Sequence, residues 1–151
     1  MSIKLTKSWW FAVLSEMTNK IKNRVQKKRR NADNKKFNAY ERSYAELKSK
    51  GKTRRKGESQ QSYSARPDMT LTGITMDSIQ VSNVSNTGGY IGSLTNGNTI
   101  RHLENHKNYS ILGTNPKAPE YQFFKDQFSK KMGKELKLMA KKNSKTIVIK
   151  A

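Results

Sequence analysis

Residues 67–94 have the sequence PDMTLTGITMDSIQVSNVSNTGGYIGSL, in which a turn is followed by a short helical segment and two β-type runs. Thr72 can cap a helix over residues 73–79, because its hydroxyl can accept a hydrogen bond from an N–H of the first turn. From Ile79 the apolar period drops towards that of a strand, and a Gly-Gly turn leads into the second run. The pattern predicts a β-hairpin over about residues 79–94, the nucleus of a small α+β domain.

Two helices are predicted on the N-terminal side of this hairpin. Residues 8–30 carry apolar side chains at spacings of three and four, with Ser8 as a candidate N-cap. The apolar stripe ends at Val25, so we expect the basic turns that follow to project beyond the packed body. Residues 37–50 have a shorter stripe of the same kind. Residues 51–66 have no periodicity and are expected to form an exposed, positively charged connection. The two stripes are Trp10, Leu14, Met17, Ile21 and Val25, and Phe37, Tyr40, Tyr44 and Leu47.

A long helix is predicted on the C-terminal side, over about residues 119–141. Pro119 suits the first turn of a helix, and Glu120 complements the positive N-terminal end of the helix dipole. Gly133 is expected to weaken this helix by ~1 kcal/mol relative to alanine. The sequence TIVIK at 146–150 predicts a short strand. The apolar stripe of the helix consists of Tyr121, Phe124, Phe128, Met132, Leu136 and Met139.

Together these elements predict an α+β fold. A small antiparallel sheet, made of the hairpin and the C-terminal strand, is expected to pack against the long C-terminal helix, with an extended basic helical arm at the N-terminus. We divide the chain into residues 1–66, which hold the N-terminal helices and basic arm with the exposed connection at 51–66, and residues 67–151, which form the α+β core with the C-terminal helix and strand. A hydrophobic fraction of 33% against a charged fraction of 28% fits a small core with polar extensions.

The net charge of +20 is distributed unevenly. Residues 19–57 hold 16 Lys and Arg against three acidic residues, and residues 117–150 hold 10 Lys against three, whereas the segment between them is almost neutral. Such a field favours polyanions, which can be nucleic acid, an acidic protein surface or an anionic membrane. The alternative interpretation of the basic residues is a solvated charged surface. The candidate polyanion or acidic-partner contacts are Lys27, Lys28, Arg29, Arg30, Lys35, Lys36, Arg54, Arg55 and Lys56.

Several classes of protein are disfavoured by what the sequence lacks. It has no cysteine, so it cannot form disulfides or thiolate metal sites, which fits a reducing compartment. The longest apolar run, Trp9 to Leu14, is too short to span a bilayer, and the N-terminus lacks the pattern of a signal peptide. We therefore expect a soluble, unsecreted protein that has no membrane partner.

Catalytic and cofactor sites are not predicted. His102 and His106 have a spacing that can hold a metal ion, but Glu104 lies off their helix face and no third ligand is evident. The glycines at 88, 89 and 92 do not form a phosphate-binding loop, and the few acidic residues suggest no catalytic pair. The sequence therefore predicts no catalytic residue, no cofactor and no metal, and the protein is not expected to be an enzyme.

Two apolar segments near the ends of the chain are candidate subunit contacts. Trp9, Trp10 and Phe11 can either cap the core or anchor a neighbouring subunit, because aromatic residues are favoured at interface centres. The strand formed by Ile147, Val148 and Ile149 can complete the chain's own sheet or add an edge strand to a neighbour's. Both alternatives remain open for both segments.

A series of short motifs runs in a fixed order between Tyr44 and about Leu136. Its residues are Tyr44 with Lys48, Leu71-Thr72-Gly73, Ser78-Ile79, Tyr90-Ile91-Gly92, Leu103, His106, Gly113 and Pro116 to Phe124. This order resembles that of the virion-morphogenesis family of tailed bacteriophages, which are small head–tail connector and tail-completion proteins. In that family a Leu-Thr-Gly turn starts a short helix ending in Ser-Ile, and a hairpin, an aromatic/His–Gly segment and a proline-introduced helix follow.

The resemblance implies a structural virion protein that performs no chemistry. Such a protein would form a homo-oligomeric ring in the neck, between the head portal and the tail, around a channel through which DNA passes. Its expected partners are its own copies, portal, adaptor and tail proteins, and DNA, and it would be assembled in the host cytoplasm. The alternative function is that of a basic protein that binds nucleic acid without sequence specificity.

Overall fold

A computed structural model describes residues 5–52, 62–67, 74–93, 95, 97–101, 111–112 and 118–144 of the chain. These residues form an α+β fold, which confirms the predicted class. Residues 97–101 are helical, and the predicted strand at 146–150 lies outside the described residues. The named elements are α1 (Lys7–Gln26), α2 (Arg42–Ser49), the single-turn α3 (Ile74–Asp77), β1 (Ile79–Ser82), β2 (Tyr90–Ser93) and α4 (Pro119–Ser144).

The two strands form the predicted antiparallel hairpin. Ile79 pairs with Ser93 and Ser82 with Tyr90, so the strands are joined by the loop over residues 83–89. The Ser85 N–H donates to the Gly88 carbonyl at 2.8 Å and closes the turn. The side chain of Ile79 is completely buried, as period-two alternation from this residue predicts.

Helix α1 packs against both the hairpin and α4. Its buried face contains three of the residues of the predicted stripe, Leu14, Ile21 and Val25. The N-cap is Thr6 and not Ser8, because the Thr6 hydroxyl accepts a hydrogen bond from the Trp9 N–H at 3.2 Å. The N-cap prediction was wrong because two hydroxyl residues, two positions apart, suit the position equally well by type.

The prediction that α1 continues to Arg30 and projects from the body was wrong. The helix ends at Gln26, and the N–H groups of Lys27 and Lys28 both donate to the Asn23 carbonyl. Arg29 then adopts a left-handed conformation with φ 56° and turns the chain back. Periodicity could not indicate this end, because lysine and arginine are good helix formers and a positive φ is uncommon for them.

The hydrophobic core draws residues from both sides of the division at residue 66. Ile21, Val25 and Phe37 come from the N-terminal segment, and Met76, Ile79, Ile100 and Ile111 from the C-terminal one. Thus α1 supplies much of the surface on which the hairpin folds. Burial of these side chains is the main favourable contribution to the stability of the described parts of the chain.

Helix α2 differs from its prediction over residues 37–50, because Phe37 belongs to the core and the helix spans only Arg42–Ser49. Leu47, assigned to the apolar stripe, is 45% exposed, whereas Lys48 is completely buried. The Lys48 ammonium lies 4.9 Å from the centre of the Tyr40 ring. A cation over an aromatic face is attracted by the ring, and the methylene stem of the lysine packs as an apolar group.

Helix α4 runs antiparallel to α1, since residues further along α4 meet residues earlier in α1. Arg24 pairs with Glu120, Trp10 stacks on Phe124, and Trp9 contacts Phe128. The helix has 26 residues, more than α1. The predicted apolar stripe of α4 continues beyond Phe128 to Leu136, whose side chain is 57% exposed. Leu138, which does not belong to the stripe, is 54% exposed.

Candidate functional site

An aromatic seam joins the N-terminal end of α1 to α4. We define it as Trp9, Trp10, Phe124 and Phe128. The Trp10 and Phe124 rings are stacked with centroids 5.9 Å apart, and Trp9 meets Phe128 edge-on at 6.4 Å. Two of the three aromatic residues predicted as subunit contacts therefore pack within their own chain. This supports the alternative in which they cap the core, and their role between subunits remains a prediction.

Asn86, in the hairpin loop, ties that loop to the start of α1. Its side-chain carbonyl accepts a hydrogen bond from the Lys7 N–H at 2.8 Å, which is one of the N–H groups without an acceptor inside the helix. Its backbone carbonyl accepts a hydrogen bond from the Trp10 indole Nε1 at 3.1 Å. One loop residue thus fixes both the helix end and the orientation of an aromatic ring in the seam.

Phe11 is the aromatic residue of the predicted trio that faces outwards. Its side chain is 56% exposed. It lines a shallow surface pocket of about 570 Å³ together with Thr6, Lys7, Ser8 and Asn86. An exposed aromatic ring beside a concave surface is the type of feature that anchors a protein interface. Phe11 therefore stays a candidate subunit contact.

The basic residues that follow α1 form a hydrogen-bonded loop, which we call the basic loop and define as residues 27–36. Arg30 and Lys36 form an isolated antiparallel bridge across it. The Asn31 N–H donates to the Lys35 carbonyl at 2.8 Å, and the Asn31 side chain accepts from the Lys35 N–H at 2.9 Å. The six predicted polyanion contacts in this region thus share one ordered loop, and four of them, the lysines, are exposed.

Arg24 connects the basic loop to the interior. Its Nη1 donates to the Arg30 carbonyl at 3.0 Å, and its Nη2 donates to the Ile111 carbonyl at 2.7 Å. The same guanidinium forms an ion pair with Glu120, with 2.6 Å between Nη2 and Oε1. Both side chains are almost fully buried. One arginine therefore holds the end of α1, the basic loop, residue 111 and the start of α4 in one arrangement.

Sequence patterns contained a partial signal for this buried pair. Arg24 lies three residues after Ile21, so it falls on the apolar face of α1, where a charge requires a partner. Glu120 was assigned to the helix dipole and not to a partner, because the two residues are far apart in sequence. Asn86 gave no signal that distinguished it from an ordinary turn residue. Lys48 belongs to the motif series of the resemblance, but periodicity did not distinguish it from a helix-surface residue.

The remaining predicted residues lie outside the part of the chain that the structure describes. This applies to the Leu-Thr-Gly turn at 71–73 and to the pair His102 and His106. Among the described residues, no group of three or more potential metal-binding side chains comes together. The candidate contacts that also lie outside are Arg54, Arg55 and Lys56 of the exposed connection predicted over 51–66, and Ile147, Val148 and Ile149 of the predicted strand.

Within the described ranges, none of the helices combines the length and the apolar character that a bilayer crossing requires. Comparison of the chain with protein-family models, curated proteins and solved structures returns no match. The features of the chain that bear on function are the aromatic seam with Phe11 beside it, the basic loop, and the order of motifs along the sequence.

Proposed function

We propose that the protein is a structural subunit of a tailed-phage virion, a neck or tail-completion protein that forms a homo-oligomeric ring between portal and tail. The observation that carries the proposal is the order of motifs along the chain. Within the described residues, this order runs from α3 through a hairpin whose second strand holds Tyr90, Ile91 and Gly92 to α4, whose first residue is Pro119. The resemblance has the short helix end in Ser-Ile, whereas α3 ends at Asp77 and Ile79 already belongs to β1.

The exposed apolar residues support self-association. Phe11 is exposed beside a shallow pocket at one end of the α1–α4 pair, and Leu136 and Leu138 are exposed on α4. In a ring, each subunit presents one surface to the preceding copy and a different surface to the next. The exposed ring of Phe11 and the exposed leucines of α4 are the apolar groups that such head-to-tail contacts would use.

The charge distribution supports placement next to acidic components of a particle. The exposed lysines of the basic loop and of α4 would face acidic portal or tail surfaces, or the DNA in the channel. Attraction between opposite charges accelerates encounter and fixes orientation more than it adds affinity. The subunit would thus combine apolar contacts between copies with electrostatic contacts to its neighbours in the virion.

The proposal is tested by measuring the mass of the purified protein and imaging it by electron microscopy, together with mass spectrometry of purified particles. We expect closed rings at high protein concentration and the chain as a particle component. Phe11→Ser should weaken the rings while preserving the fold of the subunit. Phe11→Tyr, the matched control, keeps an aromatic ring and should leave ring formation unchanged. A monomer at all concentrations that is absent from particles would refute the proposal.

The second candidate function, nucleic-acid binding without sequence specificity, is favoured by the ordered basic loop. A protein with this function alone would bind DNA or RNA with a steep salt dependence, because counterions are released from neutralised phosphates. It would also be absent from particles. A weak, flat salt dependence would exclude this candidate, and incorporation into particles would favour the ring subunit.

A further inference from the structure

The basic loop has the properties of a site for one particular polyanion. We propose that residues 27–36 bind the phosphate backbone of double-stranded nucleic acid without sequence specificity. The inference goes beyond the proposed structural role and gives the second candidate function a site; it does not depend on ring formation, because it is argued from contacts within a single chain.

The basic loop carries a high density of positive charge. Six of the ten residues of the loop are basic, and Asp33 is its single acidic residue. The lysines at 27, 28, 35 and 36 are all exposed, so their ammonium groups are accessible. Each phosphate that such a group neutralises releases condensed counterions, which provides affinity without any base contact.

The loop is already ordered in the free chain. Besides the Arg30–Lys36 bridge, the Phe37 N–H donates to the Arg29 carbonyl at 3.2 Å and the Arg30 guanidinium donates to the Asn34 carbonyl at 2.6 Å. Arg24 fixes the Arg30 carbonyl from the interior. A backbone held in this way loses little further conformational freedom on binding, so the entropic cost of ordering the loop offsets less of the electrostatic attraction.

The composition of its exposed surface indicates which polyanion the loop fits. Its apolar residue, Ala32, is buried, and the adjacent Phe37 is buried in the core. The exposed surface of the loop thus lacks the aromatic or aliphatic anchor around which protein interfaces are built. It also lacks the aromatic side chains on which the bases of single strands stack. The phosphate backbone of a duplex requires only cationic and hydrogen-bonding groups from its partner. Since the loop lacks the anchors that a protein surface or a single strand would need, a duplex is the polyanion that it fits.

The experiment measures binding of the full chain to a fluorescent DNA duplex of mixed sequence over a range of salt concentrations. The same strand in single-stranded form and polyglutamate are the comparison probes. We expect the duplex to bind most tightly, with affinity that falls steeply as salt rises and that is unchanged when the sequence is scrambled.

The decisive variant replaces the lysines at 27, 28, 35 and 36 by glutamine. Their ammonium groups take no part in the hydrogen bonds that hold the loop, so the fold should persist, with an unchanged urea midpoint. We expect at least about a tenfold loss of duplex affinity at moderate salt, and a slope of log affinity against log salt that is shallower by about 3 to 4. The matched control replaces four exposed lysines of α4 and removes the same charge; its residues are Lys125, Lys130, Lys134 and Lys137.

Three outcomes would overturn the inference. Equal losses in the two variants would mean that net charge alone attracts the duplex. Tighter binding of the single strand would point to base stacking, and tighter binding of polyglutamate would point to an acidic protein partner. None of these results affects the ring proposal, because ring formation and incorporation into particles are measured without nucleic-acid probes.

Discussion

The guanidinium of Arg24 and the carboxylate of Glu120 form an ion pair in the interior, with side chains that are 1% and 5% exposed. Arg24 Nε lies 3.1 Å from both carboxylate oxygens, and Nη2 lies 2.6 Å from one of them. The other donors of the guanidinium reach the carbonyls of Arg30 and Ile111. A buried charge is tolerated when it is paired and its hydrogen bonds are satisfied, and this pair meets both conditions.

Removing one partner of this pair should be severely destabilising. Glu120→Ala leaves the Arg24 charge buried without its counterion, so we expect the free energy of unfolding to fall by about 3–5 kcal/mol. Urea denaturation followed by circular dichroism measures the change. Glu46→Ala is the matched control, because Glu46 pairs with Arg42 on the exposed surface of α2 and should contribute less than about 1 kcal/mol. Similar losses in the two variants would contradict the structural role of the Arg24–Glu120 pair.

Gly89 should not tolerate a side chain, whereas Gly92 should. A Cβ atom at Gly89 would lie 2.8 Å from Leu14 Cδ1 and 3.3 Å from the Val84 Cα, and Leu14 is buried in α1. We expect Gly89→Ala to cost about 1–3 kcal/mol through overpacking. A Cβ at Gly92, in the same hairpin, meets no atom within 4 Å, so Gly92→Ala should be neutral or slightly stabilising. Thermal unfolding of the two variants checks the difference, and equal effects would mean that the hairpin does not pack on α1 at Gly89.

Phe11 and Trp10 are adjacent in sequence but should differ in what their loss affects. Trp10→Ala removes the ring that stacks on Phe124 and the hydrogen bond to the Asn86 carbonyl, so it should lower the free energy of unfolding by about 2–4 kcal/mol. Phe11→Ala removes a ring that is already 56% exposed and should change stability by less than about 0.5 kcal/mol. Analytical ultracentrifugation should show that Phe11→Ala weakens self-association. Normal association with lowered stability would assign Phe11 to the core instead.

The elements that the sequence predicted well are those with local, periodic signals. The hairpin was predicted because Ile79 begins a period-two run and the Gly-Gly turn precedes Tyr90. The proline-introduced C-terminal helix was predicted because Pro119 and Glu120 both suit a helix start. These signals lie within about ten residues of the elements that they specify, so no tertiary contact was needed to interpret them.

The features that the sequence did not predict depend on contacts between distant residues. The basic loop turns back because Arg24 holds the Arg30 carbonyl from the interior, and the partner of Arg24 is in α4. Lys48 is buried beside the Tyr40 ring, although a lysine on a short helix is expected to be solvated. Of the candidate site, the basic residues could be identified from the sequence by type, and their contact with a polyanion stays a prediction. Their ordered presentation depends on hydrogen bonds within the loop and on Arg24, which periodicity does not indicate.

Gly133 in α4 should be replaceable by alanine with a gain in stability. The residue is helical, and a Cβ atom there meets nothing within 4 Å, so the substitution relieves the entropic cost of a helical glycine without a clash. We expect Gly133→Ala to raise the free energy of unfolding by about 1 kcal/mol, measured by thermal or urea denaturation.

Gly51→Ala is the contrasting control, because Gly51 has φ 69° and its Cβ would lie 2.9 Å from the Tyr63 ring. That variant should be destabilised by about 1–2 kcal/mol. A Gly133→Ala protein that is more stable but no longer forms rings would indicate that the proposed assembly needs the helix to bend at Gly133.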